Sequence, residues 1–275
     1  MIEGPPPLSV GKTLATGYEV IAHLHRSNNF DVYDVWSEER ACRCIAKALC
    51  PDLLDDQRTR RRLIREGRLL QRLTHPHIVR AYETLKEPHP VLILETLTGS
   101  TLAFLIDNSS RRLPLSDVVH LGLHLCSAVQ YLHRHNILHL DLKPSNIVSE
   151  RQLAKLLDLS LTQSPGKGVK GAGTANYMAP EQARSDFLGP AADVWGLGTV
   201  LFEAATGEEP FDAYDEDETR YEQLERRAEP VRSHRRVPAT FATVVDACLH
   251  PDPARRPTMK GLTGVLNKLA QDRSS

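Results

Sequence analysis

A glutamate in the middle of an apolar helical stripe constrains this chain more than any other single residue. From Asp55 to Thr74 the sequence predicts a helix, with Leu63, Leu70 and Leu73 on one stripe at helical spacing. Glu66 falls on that same stripe, three after Leu63 and four before Leu70. A carboxylate facing a core is costly unless a cation meets it. The fold must therefore bring a buried cation to Glu66 from elsewhere in the chain.

The order of elements narrows the fold class. Residues 1–16 read as a Pro-rich, loosely packed lead-in. Tyr18–Leu24 alternates weakly between apolar and polar, and Cys42–Leu49 and Val91–Glu95 are short apolar runs of the kind found in buried strands. From Gly99 onward the pattern turns helical. Asp117–His135 carries Leu125, Val129 and Leu132 on one face, and Asp193–Thr206 is apolar nearly all round, with Asp193 expected at its N-cap. A β-rich part followed by an α-rich part predicts an α+β chain of two lobes.

Composition excludes several classes. A formal net charge of -1 provides no global field to draw nucleic acid or an anionic membrane, so such a partner would need a local basic patch. The five cysteines are odd in number and lack a disulfide spacing, which points to a reducing compartment. Cys42 and Cys44 form a lone C-x-C without the second pair a zinc site requires. Gly11-Lys12-Thr13 is not a P-loop, because six residues rather than four separate Gly4 from Gly11. No apolar run reaches the roughly 20 residues that span a bilayer. The expectation is a cytoplasmic, untethered protein with no membrane or nucleic-acid partner. The acidic stretch Asp212–Glu218 and the arginine-rich stretch Arg226–Arg236 read as solvated faces.

The densest chemistry lies in His139-Leu-Asp141-Leu-Lys143-Pro-Ser-Asn146. Ile45-Ala46-Lys47 precedes it. Lys155-Leu-Leu-Asp158-Leu-Ser160, Gly173-Thr174-Ala-Asn-Tyr177-Met-Ala179-Pro180-Glu181, Asp193-Val-Trp-Gly-Leu-Gly198 and Asp252-Pro-Ala-Arg-Arg256-Pro257 follow in that order. Together these resemble the ordered motifs of the bacterial eukaryotic-like (Hanks-type) Ser/Thr protein kinase catalytic domain, over about residues 18 to 270. The resemblance implies a two-lobed kinase fold over residues 17–270, with a small lobe of about 17–95 and a helical lobe of about 99–270. It also implies transfer of the ATP γ-phosphate to protein Ser/Thr hydroxyls.

What the resemblance carries over is specific. Asp141 is the expected base, Lys143 a neutralising cation, and Asn146 and Asp158 the ligands of Mg²⁺ or Mn²⁺. Lys47 is the expected grip on the inner phosphates and the cation that Glu66 demands. Leu24, Val32, Ala46, Glu95, Leu97 and Val148 would surround the adenine, with Leu94 guarding the back pocket. Glu181 would pair with Arg256, and Thr174 would bond near Asp141 and Lys143.

Two departures matter. Counting back from Lys47, the three glycines of the phosphate-covering loop fall at His25, Ser27 and Phe30. An alternative alignment places Phe30 at the loop tip. Glycines let backbone approach phosphates at unrestricted φ, so weaker ATP binding or a displaced loop is expected. His25 and Arg26 offer compensating positive charge. Leu140 stands where the family has an Arg that receives an activation-loop phosphate. Activity independent of phosphorylation at Thr162 or Ser164 is therefore expected. The competing reading is a pseudokinase that serves as a nucleotide-binding or scaffolding module.

Overall fold

The structure, a computed structural model, describes residues 5–150, 153–212 and 220–272. The chain forms two compact units. One runs to Thr98 and also takes in Asp158–Ser160. The other comprises Gly99–Leu157 and the chain from Leu161 onward.

The first unit is built on an antiparallel sheet. Its strands are β1 (Thr13–Ala15), β2 (Tyr18–Arg26), β3 (Phe30–Ser37), β4 (Cys42–Leu49), β5 (Ala81–Leu85) and β6 (Val91–Leu94). Their order is β1-β2-β3-β4-β6-β5. Val20, Val35, Cys44, Ala46 and Ile93 fill one face as a buried cluster. The segment expected to be a loose lead-in is partly ordered: β1 pairs with β2, and the Leu8 N–H donates to the Tyr33 hydroxyl. Three prolines nearby masked that short strand in the sequence.

Helix α1 (Gln57–Arg72) starts where Asp56 caps the Thr59 N–H, with the acceptor 2.6 Å away. It buries Leu63, Glu66 and Leu70 against the sheet, as the stripe requires. At Gly67 a Cβ would collide with Thr84 Oγ1 on β5, so glycine permits the close approach that sets the depth of Glu66.

The second unit begins with β7 (Ser100–Thr101) and α2 (Leu102–Asp107), followed by α3 (Leu115–Arg134). Strands β8 (Ile147–Glu150) and β9 (Leu153–Leu156) join β7 in a small antiparallel sheet. Then come β10 (Gly166–Lys167), α4 (Pro180–Ala183), β11 (Phe187–Leu188), α5 (Pro190–Thr206), α6 (Val231–His234), α7 (Ala239–Cys248) and α8 (Met259–Gln271). Leu125, Val129 and Leu132 on α3 are fully buried, and α3 packs against α5 and α8. Helix α5 is buried at nearly every residue, matching its all-round apolar sequence.

Asp193 corrects one expectation. The helix starts at Pro190 with Gly189 at the cap, so Asp193 lies one turn inside. A proline preset to helical φ opens the helix earlier than the aspartate signal suggests. Of the acidic stretch, residues 213–218 lie outside the described residues, as do residues 1–4. All five cysteines are free thiols.

The Glu181–Arg256 pair anchors α4. Arg256 reaches both carboxylate oxygens at 2.7 and 2.8 Å, also donates to three backbone carbonyls, and stacks over Trp195. Arg256→Met removes the partner of a buried carboxylate. A loss of about 3–5 kcal/mol is expected, read as a lower urea midpoint; an unchanged midpoint would show that the pair holds nothing together.

Candidate active site

In the first unit β4 delivers Lys47 and α1 delivers Glu66 to one point. The Lys47 ammonium lies 3.1 and 2.9 Å from the two Glu66 oxygens and 3.1 Å from Asp158 Oδ1. Lys47 is 7% exposed and Glu66 is 2% exposed. The Leu159 N–H also donates to Glu66. Burial pushes the Glu66 carboxyl up to about 7, with Lys47 pulling against it. Burial also works to raise Asp158, but the ammonium and the Ser160 N–H outweigh it and hold that carboxyl well below the usual range. Burial would lower Lys47; Glu66 and Asp158 together raise it. The site thus holds a charged lysine.

The chain from His25 to Val32 takes its own course over this point. Arg26 pairs across the hairpin with Asp31, so the tip is Ser27–Asn29 and Phe30 opens β3. That register removes the alternative placing Phe30 at the tip. Asp31 is fully buried. It accepts two bonds from Arg26 at 2.7 Å and lies 2.8 Å from His23 Nε2. Burial works to raise the Asp31 carboxyl, but Arg26 and His23 hold it below its ordinary value. The Phe30 ring lies over the Lys47 ammonium, 4.8 Å from it, and 5.9 Å from the Arg62 guanidinium. Arg62 also donates to Ser160 Oγ.

This arrangement corrects one reading. Arg26 is engaged by Asp31 and the Pro5 carbonyl, so it is not a spare cation for phosphate. Sequence reasoning missed Asp31. The signal was present: in a tight hairpin, Arg26 and Asp31 stand opposite each other as a complementary pair.

In the second unit Asp141, Lys143, Asn146 and Thr174 form one connected group. The Thr174 hydroxyl donates to Asp141 Oδ1 at 2.8 Å and accepts from Lys143 at 2.6 Å. Asn146 donates its amide N–H groups to the Asp141 carbonyl and carboxylate, both at 2.9 Å. The loop that carries them is pinned from below. Asp193 accepts from the backbone N–H groups of His139 and Leu140 and from His133. It therefore holds the loop rather than capping its own helix. Leu140 sits at φ 67° with its side chain buried, a strained left-handed backbone that these bonds enforce.

In the first unit Asp158 offers the oxygen chemistry that a hard divalent cation takes. Lys47 and the Ser160 N–H both engage Asp158 Oδ1, and this carboxylate is one-third exposed. In the second unit the Asn146 amide nitrogen is spent on Asp141, so the oxygen of that amide is its remaining side-chain polar atom. Of the remaining predicted residues, Ala46 and Val148 are buried, Val32, Leu94, Glu95 and Leu97 are half-buried, and Leu24 is 53% exposed. The Glu95 N–H is taken by the Arg80 carbonyl.

Residues 18–265 match the protein kinase domain family, and the chain belongs to that family. Proteins of this family use ATP and a divalent metal. Among similar proteins, the serine/threonine-protein kinase PknB of Mycolicibacterium smegmatis is 32% identical over 224 residues, covering 76% of this chain and 36% of the relative. PknB of Mycobacterium leprae is 30% identical over 223 residues, with the same coverage. The chain therefore spans about a third of the length of these relatives. The crystal structure of the Mycobacterium tuberculosis PknI kinase domain, solved as a cysteine-to-alanine mutant, shares the fold, with a TM-score of 0.77 at 23% identity. It covers 96% of this chain and 100% of that one. Among the described residues no helix is long and apolar enough to cross a membrane.

Asp31→Ala strips Arg26 and His23 of their shared acceptor. A stability loss of roughly 3 kcal/mol is expected, with faster amide exchange through Ser27–Phe30. Parent-like exchange in that hairpin would mean Asp31 does not hold it.

Proposed function

We propose that this chain is the catalytic domain of a protein serine/threonine kinase, moving the γ-phosphate of ATP to a protein hydroxyl with Mg²⁺ as the metal. The domain occupies about residues 17–270, after a lead-in of residues 1–16. Five free thiols support a cytoplasmic setting.

The observation that carries the reading is the Asp141–Thr174–Lys143 group. A carboxylate that receives a hydroxyl hydrogen bond, with an ammonium beside it, is already arranged as it must be for a substrate alcohol. Asp141 accepts the hydroxyl proton as the alcohol oxygen bonds phosphorus and the bond to the ADP oxygen breaks. Lys143 offsets the charge on the moving phosphoryl group. Lys47, oriented by Glu66, holds the inner phosphates. Asp158 and Asn146 hold the metal, which when bound neutralises phosphate charge. Ala46, Val32, Leu24 and Val148 contact the adenine ring, and the backbone of Glu95 and Leu97 reads its edge.

The way that segment is held supports activity without activation-loop phosphorylation. Leu140 presents no cation. Instead, Gln182 donates to the carbonyls of Leu140 and Ala172, β10 pairs with β11, and Gln163 bridges to Leu138. Thr162 is 3% exposed and poorly placed to accept a phosphate. Phosphatase-treated protein should keep its rate. A rate lost on dephosphorylation and restored by a phosphate in that segment would contradict this.

One observation favours a binding module instead: the Phe30 ring covers the lysine that phosphates would need. Two variants separate the readings. Asp141→Asn should lower transfer from labelled ATP to a Ser/Thr protein by about 10²–10⁴-fold. Phe30→Gly, which restores the family's small residue, should lower the KM for ATP several-fold. No transfer by the parent chain or by Phe30→Gly, with nucleotide still bound, would favour the module.

A further inference from the structure

Helix α1 carries seven arginines, and five of them form a line. Arg58, Arg61, Arg65, Arg68 and Arg72 recur at spacings of three and four residues, and all five are exposed. The line runs about 21 Å along the helix at about 1.5 Å per residue. It lies on the side away from Leu63, Glu66 and Leu70, which are buried. Among the described residues no side-chain hydrogen bond or ion pair engages Arg61, Arg68 or Arg72, and Arg58 feels only the charge of Asp56.

This face works against the helix that carries it. Arginines three and four apart repel one another. The first turn holds no acidic residue, so only the capping Asp56 offsets Arg58 beside the positive end of the helix dipole. The sole carboxylate on α1 is Glu66, which is buried and engaged by Lys47. Among the described residues no carboxylate meets Arg61, Arg68 or Arg72, so this surface is suited to an anion supplied from outside.

We propose that the arginine line of α1 docks an acidic segment of a partner polypeptide, rich in Asp and Glu. Guanidinium forks match carboxylates in pairs. The line has the length of about six extended residues, at about 3.3 Å each. Alternate acidic side chains on such a strand recur at about the separation of neighbouring arginines along the helix. Other polyanions suit it less. No large apolar side chain on α1 is exposed, so nothing there inserts into a lipid surface or stacks on a base. A chain of net charge -1 also lacks the broad positive field of duplex-binding domains.

The test uses the full chain and a fluorescein-labelled octapeptide of glutamate, followed by anisotropy. A short DNA duplex and phosphatidylserine vesicles serve as competitors. The peptide should bind, and binding should weaken with added salt. In the Arg61→Gln/Arg68→Gln variant its Kd should rise about fivefold or more. The same pair of changes at Arg232 and Arg236, in the other arginine-rich stretch, should leave it unchanged. Because it relieves repulsion, the α1 variant should unfold no earlier than the parent, which separates lost docking from lost folding. Absent peptide binding, equal loss in both variants, or displacement of the peptide by duplex or vesicle at lower concentration would overturn the proposal.

Discussion

One ammonium shared by two carboxylates organises the interior of the N-terminal unit. Lys47 meets Glu66 and Asp158 at about 3 Å, with the lysine and Glu66 buried and Asp158 one-third exposed. Hydrophobic residues of equal volume would serve stability as well or better than such a group. Burial raises Glu66 to about 7 while Lys47 and the Ser160 N–H hold Asp158 low, so the two carboxylates are not equivalent, and the partly exposed Asp158 is the one open to a further partner. Much else serves this one contact: the register of β4, the glycine that sinks α1 onto β5, and the backbone N–H groups of residues 159 and 160.

The second unit solves a different problem, that of presenting a carboxylate and an amide on a loop without letting the loop move. Asp193 does this from within a buried helix, tying two backbone N–H groups of the loop to α5. The close approach of Gly196 to Leu142 brings the helix and loop together. Gln182 adds a tie from the far side through Leu140. A regulated member of the family would use a phosphate for part of this work. Here the Gln182 amide ties Leu140 to Ala172, and β10 pairs with β11.

Much of this was legible in the sequence because it rests on spacing. Glu66 on an apolar stripe required Lys47, and the distances among Asp141, Lys143 and Asn146 define one loop. Motif order gave the two-lobed architecture. What was not legible rests on pairing between neighbours that no motif describes. Arg26 looked like a spare cation because its partner Asp31 stands across a hairpin whose tip could be set two ways. Asp193 looked like a cap because Pro190 opens the helix three residues earlier. Phe30 read as a missing glycine, whereas its ring takes a place of its own over Lys47.

The claim that Lys47 grips the inner phosphates is tested most directly by Lys47→Met, with steady-state phosphotransfer measured at varied ATP and folding checked by circular dichroism. A folded variant whose kcat/KM for ATP falls by about 10²-fold or more, equivalent to roughly 2.7 kcal/mol of transition-state stabilisation, is the predicted result. A folded variant that keeps the parent's kcat/KM would contradict it.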